Sequence, residues 1–334
     1  MKKTKHLLRL IIIYFSYIFK KERVKYLPIR LWVETSSRCN LKCRLCVNKD
    51  MEANSKGEMD FNLYKKIIDE ARDYIFDINL FHRGEPLMHP RIVEMVEYAN
   101  KNKIKTRLHT NATMLTPKLS KELIMAGLNL ISFSFDGYTP ATYEKNRIGA
   151  SYENTLSNII NFLKIKKELN ARTPFTQVQI MEFDDELSRK DFQLQKQDFF
   201  KNFEGLPIDK FVIRTPHNWG GLLTIEGIGK IDKQKSKFMA CTFPWYALTI
   251  FFDGKVCLCP QDFTGNIQIG DIRKESIKKI FNDEAIRYIR RSFKYKKINN
   301  IEPCNECDRC WRKTILGIPK EYLGMFLKDS FKNN

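Results

Sequence analysis

The sequence predicts an α/β protein, in which a partial (β/α)6 barrel of the TIM type is followed by a small cysteine-rich domain. Three observations predict this fold class. Short apolar runs alternate with helical segments from Pro28 onward, polar residues directly follow several of those runs, and the nine cysteines fall into three groups. A chain of 334 residues with 43% apolar content can bury a barrel-sized core and one smaller domain besides.

Six of the apolar runs have the length and residue types of buried parallel strands. They span residues 29–33, 78–81, 104–108, 130–135, 178–181 and 211–213. Helical segments separate them, at residues 61–74, 90–101, 118–126, 152–169 and about 191–203. Because parallel strands joined by helices have their C-terminal ends on one side of the sheet, we expect the chemistry at those ends.

The chain is expected to have four parts. They are a basic amphipathic helix at residues 1–27, the barrel at 28–236, the cysteine-rich domain at 237–313 and a tail at 314–334. Within the third part, an alternating strand, a turn at Asp253-Gly254 and a return strand carrying Cys257 and Cys259 predict a hairpin. A single helix is expected after it, at about 277–293.

The formal net charge of +19 is concentrated near the N-terminus, where residues 1–30 hold nine Lys/Arg against the single acid Glu22. No recognisable nucleic-acid-binding module accompanies this charge, so we expect no nucleic-acid partner. Solvated charge with some attraction to anionic membranes is the interpretation that the distribution favours.

The first thirty residues include the apolar run LLRLIIIYFSYIF, from Leu7 to Phe19, which is too short to cross a bilayer and contains Arg9. As a helix it would place Lys5, Arg9, Ser16 and Lys20 on one stripe, which is typical of a helix lying at a membrane interface. A helix docked on the barrel or in a partner's groove is the alternative. The expected location is the cytoplasm, with residues 5–20 as a candidate contact to the inner membrane face.

The motif with the strongest functional signal is the string CNLKCRLC, which contains Cys39, Cys43 and Cys46 directly after the first apolar run. Three thiolates at this spacing can hold three irons of a four-iron cluster and leave the fourth iron open. A structural zinc site usually has four closed ligands, so zinc fits this triplet poorly. Cluster ligands must stay reduced, which favours the cytoplasm over a secreted, disulfide-rich environment.

Three further motifs follow the next predicted strands in order. HRGEPLMHP contains Gly84 and Glu85, HTNAT contains Asn111, and SFSFDG contains Ser134 and Asp136. Together with the cysteine triplet, this order resembles the radical S-adenosylmethionine (radical SAM) enzymes. The resemblance implies a SAM-binding 4Fe-4S cluster on Cys39, Cys43 and Cys46, and SAM as the cofactor.

The resemblance also implies roles for the remaining motif residues. Gly84 and Glu85 would meet the SAM amino group, and Ser134 with Asp136 would meet the ribose. Asn111 would lie near the adenosyl group or shape its turn. In the family, reductive cleavage of SAM gives a 5'-deoxyadenosyl radical that abstracts hydrogen from the substrate.

The C-terminal cysteines are Cys241, Cys257, Cys259, Cys304, Cys307 and Cys310. Their arrangement resembles the SPASM extension of radical SAM enzymes, in the short single-cluster form of the butirosin aminocyclitol dehydrogenase. This resemblance implies an auxiliary 4Fe-4S cluster, and Cys259, three residues before Asp262, matches its pattern. The implied ligands are Cys241, Cys259, Cys304 and Cys307. Cys257 and Cys310 are then buried spectators or alternative ligands, and a zinc site built on Cys304 and Cys307 is a further alternative.

Three functions are compatible with these motifs. The first is a radical SAM enzyme that oxidises or epimerises a sugar, an aminocyclitol or a glycan, including a lipid-linked one. The second is an enzyme that modifies peptides or matures proteins, for which the segment before the barrel is shorter than a typical leader-binding domain. The third is a zinc-binding interaction protein, which leaves the GEP and SFSFDG motifs unexplained. A flavodoxin or ferredoxin is the expected electron donor for either enzyme.

Candidate substrate groups follow the predicted strands. Arg214 and His217 in RTPHNWGG are the candidate catalytic residues, because either can hold or take a proton in this interpretation. Other polar residues near strand ends either serve the substrate or only pack and cap. They are Asn218, Trp219, Glu182, Asp184, Asp185, His82, His89 and His109. Arg147 in NRIG either reaches the SAM carboxylate or braces a helix.

Overall fold

A computed structural model gives the architecture of the protein. The structure describes residues 2–182, 190–214, 216, 219–223, 238–311, 314–315 and 318–319. The predicted site residues Asp184, Asp185, His217 and Asn218 lie outside the described residues.

One continuous sheet organises the described part of the chain. Its strands are β1 (Arg30–Val33), β2 (Asp77–Asn79), β3 (Lys105–Thr110), β4 (Leu130–Ser134), β5 (Phe175–Met181), β6 (Lys210–Arg214), β7 (Ala247–Ile250), β8 (Lys255–Cys257) and β9 (Gln268–Asp271). The spatial order is β6-β5-β4-β3-β2-β1-β7-β8-β9. Strands β1 to β6 pair in parallel, as a partial (β/α)6 barrel requires. The predicted fold class is confirmed.

The second, smaller unit extends this sheet instead of forming a separate one. Strand β7 pairs in parallel with β1, with Leu31 opposite Leu248. β8 and β9 then follow as antiparallel neighbours. Cys257 ends β8, so Cys259 lies beyond the return strand in which it was predicted. A short antiparallel pair, β10 (Thr314–Ile315) with β11 (Ile318–Pro319), lies apart from the main sheet.

The helices are α1 (Lys2–Ile18), α2 (Phe61–Ala71), α3 (Ile92–Lys101), α4 (Pro117–Met125), α5 (Pro140–Asn146), α6 (Tyr152–Glu168), α7 (Phe192–Lys201), α8 (Phe243–Tyr246), α9 (Ile277–Ile280) and α10 (Glu284–Lys294). Side-chain caps start several of them. The Asp60 carboxylate accepts from Asn62 N and Leu63 N before α2, and Thr116 precedes Pro117 in the first turn of α4.

Two helix predictions were wrong in detail. The single helix expected at 277–293 is two helices, because the Asp283 carboxylate accepts a hydrogen bond from Glu284 N (2.7 Å) and starts α10 anew. Helix α5 was not predicted, and its seven residues are too few to show a clear helical period. A capping box between Thr139 and Thr142, with Pro140 in the first turn, is the local signal that marks it.

At the N-terminal ends of the strands, a buried carboxylate ties three neighbouring strands together. Asp77 at the start of β2 accepts hydrogen bonds from Arg30 Nη2 (2.6 Å), and Arg107 Nη2 lies 2.9 Å from the same carboxylate. Burial opposes the charged carboxylate, but the two arginines outweigh it and lower the pKa of Asp77. This end of the barrel is therefore closed by structural charge pairs.

Helix α1 docks on the barrel with its polar side inward. The Arg9 guanidinium donates to Leu27 O (3.2 Å) and to Tyr74 O, and Ser16 is buried. The helix thus packs on the barrel, as in the docked alternative, and Arg9 and Ser16 of the predicted stripe lie on the side that faces the protein. Buried polar groups need hydrogen-bond partners, and the backbone carbonyls of Leu27 and Tyr74 provide them for Arg9. No helix among the described residues has the length and apolarity to span a membrane.

Candidate active site and auxiliary cysteine pocket

The first cysteine group lies on the loop after β1, at the C-terminal ends of the barrel strands. Backbone hydrogen bonds tie this loop to the end of α5: Lys42 N donates to Ile148 O (3.0 Å), and Arg44 N donates to Asn146 O (2.9 Å). The three thiols on the loop, all half-buried, are those of Cys39, Cys43 and Cys46. Backbone groups at the end of α5 thus fix the position of the loop, and its half-buried thiols remain accessible from the mouth of the barrel.

Burial raises the pKa of all three thiols, that of Cys39 to about 12. Burial disfavours the negatively charged thiolate because it removes the stabilising water. A bound metal ion stabilises the thiolate instead, so such thiols ionise readily when a metal replaces the proton. Among the described residues, no three Cys, His or carboxylate side chains converge on one metal ion. A four-iron cluster does not need that convergence, since each thiolate binds a different iron. The residues present therefore fit a cluster.

The loop after β2 packs directly against the cysteine loop at Gly84. A Cβ atom there would lie 2.4 Å from both Ser36 O and Arg38 O, so no other residue fits without moving the backbone. Glu85 N donates to Arg38 O (2.8 Å), which fixes the register of the two loops. Asn48 adds a third tie between them, because its amide donates to Ser37 O (2.7 Å) and to Arg83 O (2.9 Å).

The Glu85 carboxylate is buried and accepts three hydrogen bonds, from Leu87 N (3.0 Å), Thr110 Oγ1 (2.6 Å) and Asn111 N (2.7 Å). Burial nevertheless raises its pKa above the ordinary value. A carboxylate offers about four acceptor positions, so one position remains for a further donor. A ligand ammonium at that position would compensate the burial, which fits the predicted contact to the SAM amino group.

Asn111 links the third strand to the cysteine loop. Its amide nitrogen donates to Asn40 Oδ1 (3.0 Å) and lies 4.0 Å from Cys39 Sγ, while its oxygen accepts from Thr113 N (2.9 Å). Both ends of the amide are therefore engaged within the protein. Of the two predicted roles for Asn111, these contacts favour shaping the turn.

The fourth strand contributes Ser134 and Asp136, and the structure gives them different surroundings. Ser134 is half-buried at the last position of β4, opposite Gln179 of β5. Asp136 pairs with Arg147 (2.6 Å) and accepts from Met181 N (3.2 Å). Asp136 is thus occupied by protein partners, and Ser134 is the better placed of the two for a ribose hydroxyl.

Arg147 joins this ion pair to the first cysteine group. Its other guanidinium nitrogen lies 3.8 Å from Cys43 Sγ. Burial opposes its charge, but Asp136 and Cys43 outweigh burial and hold the pKa of Arg147 above its usual value. A permanent cation beside a cluster thiolate favours the reduced, more negative state of a bound cluster.

A buried ion pair that the sequence did not reveal joins the first cysteine group to the C-terminal hairpin. Arg83 makes two hydrogen bonds to Glu34 (2.6 and 2.7 Å), and Phe252 N donates to Glu34 Oε2 (3.1 Å). Arg83 also stacks on the Phe251 ring at 3.8 Å. Burial alone would raise the pKa of Glu34, but Arg83 and the nearby His82 lower it to about 2. The only sequence signal was the position of each residue, at the end of β1 and beside the GEP motif.

The histidines near strand ends have structural partners. His82 Nε2 lies 3.0 Å from Pro260 O, and His89 contacts Met59 O (2.9 Å) and caps Arg91 N. His109 stacks on Phe81, and burial together with Arg214 and Arg107 lowers its pKa to about 3. An imidazole with that pKa is neutral at pH 7, so His109 is not the charged imidazolium that a general acid requires.

The remaining candidates lie around the mouth of the barrel. Arg214 ends β6 and donates to Gln179 Oε1 (2.9 Å). Trp219 donates to Leu45 O (3.0 Å) and packs edge-on against Phe263, so it bridges the first cysteine loop and the C-terminal unit. Glu182 is engaged by Tyr138 OH (2.5 Å) and Lys196 (2.7 Å).

The second cysteine group forms an enclosed pocket whose other walls are mostly apolar. Five cysteines line it: Cys241, Cys259, Cys304, Cys307 and Cys310. Burial raises the pKa of the Cys307 thiol to about 12, and those of Cys259 and Cys304 also rise. Asp262 accepts from Asn266 N and Ile267 N (2.8 Å each) and so shapes the turn that follows Cys259.

Cys257 does not line this pocket. It is buried outside the pocket lining, where a Cβ on Gly265 would lie 3.3 Å from its sulfur. Cys310 does line the pocket, beside the four cysteines that the sequence assigned as ligands. The two surplus cysteines are therefore not equivalent, a distinction that spacing alone did not make.

Comparison with known proteins agrees with this arrangement. Residues 33–175 match the family description "Radical SAM superfamily", and residues 241–310 match "Iron-sulfur cluster-binding domain", known as SPASM. The crystal structure of BtrN in complex with AdoMet and 2-DOIA superposes with a TM-score of 0.56 at 20% identity, covering 84% of this chain and 93% of that one. At that identity the similarity shows the fold alone.

Curated relatives match parts of the chain, and three of them show the range of names. The tungsten-containing aldehyde ferredoxin oxidoreductase cofactor-modifying protein of Pyrococcus furiosus is 32% identical over 154 residues, 45% of this chain and 43% of the relative. AdoMet-dependent heme synthase of Methanosarcina barkeri is 32% identical over 127 residues, 38% of this chain and 36% of the relative. Mycofactocin maturase of Mycobacterium tuberculosis is 30% identical over 127 residues, 38% of this chain and 32% of the relative.

The chain thus spans less than half the length of each of these relatives. The matched family regions contain both cysteine groups and the GEP motif. The strands that precede these motifs belong to one continuous sheet. They imply a SAM-binding 4Fe-4S cluster, SAM and an auxiliary iron-sulfur cluster as the cofactors. The chain therefore contains a radical SAM domain over residues 33–175, followed by a SPASM-type iron-sulfur domain over residues 241–310.

Proposed function

We propose that this radical SAM enzyme modifies a peptide or protein side chain. When bound, a four-iron cluster with SAM would supply the radical chemistry that removes hydrogen from an otherwise unreactive C–H bond. The chain's own part in this proposal is to hold and shield the reactants. Cys39, Cys43 and Cys46 hold the cluster, and Glu85 binds the SAM amino group.

Two further residues contribute to the proposed cofactor site. Ser134 meets the ribose at the end of β4. Asn111 acts through the turn that it fixes against Asn40, so it positions the cysteine loop without having to touch SAM. We assign the auxiliary cluster to the cysteine-lined pocket, with Cys241, Cys259, Cys304 and Cys307 as its ligands.

The observation that carries the peptide assignment is the edge of the barrel at β6. Within the described residues, β6 (Lys210–Arg214) pairs only with β5, and Ile213 is 42% exposed. The outward-facing N–H and C=O groups of a strand at the edge of a sheet can bind an extended chain, which is how many proteins bind peptides. This edge ends at the same side of the barrel as the first cysteine group, so a bound strand would reach the mouth.

The two catalytic candidates, Arg214 and His217, have different roles in this proposal. Arg214 cannot serve as a base, because a guanidinium stays protonated, but it can bind a carboxylate of the substrate where β6 ends. His217 lies outside the described residues and remains the candidate for proton transfer. The similarity to PqqA peptide cyclase of Bradyrhizobium diazoefficiens, 28% identical over 145 residues, supports a peptide substrate. Similarity to a heme synthase shows that relatives of this chain also act on other molecules.

A small polar molecule such as a sugar or an aminocyclitol is the second candidate substrate. The observation in its favour is the cysteine-lined pocket, which brings five thiols to one place and so provides for one auxiliary cluster. An auxiliary cluster with all four irons ligated by protein suits electron acceptance, and therefore substrate oxidation. This argument applies equally to oxidation of a peptide, so it does not displace the first proposal.

The test is to reconstitute the enzyme anaerobically with dithionite and SAM and to measure 5'-deoxyadenosine with two sets of substrates. One set contains the short peptides encoded beside its gene, and the other contains aminocyclitols and amino sugars. We expect a peptide to stimulate nucleoside formation and to lose the mass of two hydrogen atoms. Stimulation by a sugar alone would overturn the peptide assignment and leave the radical SAM assignment intact.

A matched variant tests the strand edge. Replacing Ile213 with Pro places a residue without an N–H group on the edge and should weaken peptide binding. Phe175→Pro, at the start of β5, is the control for general damage to the sheet. Unchanged peptide modification by the Ile213→Pro protein would show that the β6 edge is not the binding site.

A further inference from the structure

Helix α1 exposes a continuous apolar face. Six large apolar side chains, five on the helix and one directly after it, are between 42% and 65% exposed: Leu7, Leu8, Ile11, Ile12, Phe15 and Phe19. Their spacings of three and four residues place them on one side of the helix. Scattered exposed apolar residues are ordinary, whereas a contiguous face of this kind marks a contact with something that the structure does not include.

The opposite face of α1 is fixed to the protein, so the helix cannot rotate to hide its apolar side. Arg9 donates to the carbonyl groups of Leu27 and Tyr74, and Tyr17 OH donates to Ala240 O (2.8 Å). Ile13 and Tyr17 belong to the buried core. Turning the helix would strand the Arg9 charge and the Tyr17 hydroxyl, at a cost of several hydrogen bonds.

Basic residues flank the apolar face on both sides. Lys2, Lys3 and Lys5 precede it in the sequence, and the exposed side chains of Lys21, Arg23 and Lys25 follow it. Anionic lipid headgroups complement such a pattern, with the apolar side chains entering the acyl boundary. A second copy of the chain is disfavoured as the occupant, because pairing two such helices would bring two basic sets together.

The place of α1 in the fold determines which way the barrel faces. The helix contacts residues that precede the strands: Leu27 before β1, Tyr74 and Phe76 before β2, and Trp245 before β7. It therefore covers the N-terminal ends of the strands. Both the cysteine loop and the GEP motif lie at the opposite, C-terminal ends.

We propose that the exposed face of α1 docks the protein on an anionic lipid bilayer, with the mouth of the barrel turned toward water. The substrate is then taken from the aqueous side and not from the membrane, which argues against the lipid-linked glycan considered from sequence. This inference goes beyond the proposed function and does not depend on it.

Co-sedimentation with vesicles tests the docking. The reconstituted protein is mixed with phosphatidylcholine vesicles, either pure or containing roughly one third phosphatidylglycerol. We expect binding to the anionic vesicles, weakened by added salt, and a loss of about tenfold or more in the Leu8→Glu and Phe15→Glu variants. Leu194→Glu is the matched control, because Leu194 is 59% exposed on α7, away from this face.

Several results would overturn the proposal. They are failure of the wild-type protein to bind anionic vesicles, an equal loss in the Leu194→Glu control, or a wild-type dimer that Phe15→Glu converts to a monomer without any vesicle binding. Iron content and circular dichroism of each variant confirm that it has folded. Since the substituted side chains are exposed, we expect both measurements to match the wild type.

Hydrogen exchange on vesicles tests the orientation. We expect added protection in peptides covering residues 7–25 and none in peptides covering residues 36–50 or 82–90. Protection of the cysteine loop and the GEP loop instead would place the mouth against the bilayer and contradict the proposed orientation. This readout needs no substrate, so it stands or falls independently of the peptide assignment.

Discussion

The two cysteine groups of this protein differ in number, enclosure and neighbours. The group after β1 has three thiols, lies at the open mouth of the barrel and borders the buried carboxylate of Glu85. The C-terminal group has five thiols in an enclosed pocket. Three ligands leave one iron of a cubane without a protein partner, whereas four close it. The difference indicates that the group after β1 suits a cluster with one iron open to a reactant, and that the C-terminal group suits a cluster ligated entirely by protein.

The largest predicted effect removes the open group alone. Cys43→Ala should lower the iron content from about eight to about four per chain and abolish 5'-deoxyadenosine formation. The matched control is Cys257→Ala, because Cys257 is buried outside both groups. If Cys257→Ala removed as much iron as Cys43→Ala, our separation of the cysteines would be wrong.

The converse variant tests the enclosed group. Cys304→Ala should also leave about four irons, but it should retain nucleoside formation without substrate. Loss of SAM cleavage in this variant would show that the two groups do not act separately. Both quantities come from iron analysis and chromatography of the same reconstituted sample.

Cys310→Ala sharpens the ligand assignment within the enclosed group. Because four other thiols remain in the pocket, we expect about eight irons and an altered electron paramagnetic resonance signal from the auxiliary cluster. A fall to about four irons would make Cys310 a ligand and would displace one of the four assigned cysteines.

Breaking the buried ion pair between the two groups should lower the free energy of unfolding strongly, because it leaves a buried charge without its partner. Glu34→Gln leaves Arg83 buried without its charge partner, and breaking such a pair typically costs about 3–5 kcal/mol. The folded pKa of Glu34 is lowered to about 2, so this contribution is fully present at pH 7 and is lost as the pH falls from about 4.5 toward 2. Urea unfolding at pH 7 measures the loss, and Glu94→Gln, in an exposed pair with Arg91, is the control. Equal effects of the two substitutions would contradict a special role for the buried pair.

The smallest predicted effect concerns the contact between the first two loops. Gly84→Ala must move the backbone at Ser36 or Arg38, and we expect SAM binding to weaken by about tenfold. Gly205→Ala is the comparison, because nothing lies within 4 Å of a Cβ there and only its positive φ is strained. Calorimetric titration with SAM measures the affinity of each variant, and only Gly84→Ala should bind SAM more weakly than the wild type.

Much of this organisation could be predicted from the sequence, for identifiable reasons. The parallel strands are short apolar runs with helices between them, and the cysteine triplet, Gly84 and Glu85 directly follow two of those runs in order. Ligand-binding residues at strand ends follow from the sheet topology. These features depend on local pattern, which one sequence displays directly.

Other features depend on contacts between distant segments. The pairing of Glu34 with Arg83 joins residues 49 positions apart, and neither residue type signals a partner. The presence of Cys310 in the pocket and the inward side of α1 likewise follow from packing. Asp136 illustrates the limit best, since its place in the motif suggested a ligand contact while Arg147 occupies its carboxylate.

The measurement that tests the central claim most directly is electron paramagnetic resonance of the reduced, reconstituted enzyme with and without SAM. If one group holds a cluster with an open iron and the other a closed cluster, two signals should be present and SAM should shift only one. That signal should be missing from the Cys43→Ala variant, while the other persists unchanged. A single signal, or two signals that both respond to SAM, would contradict the account.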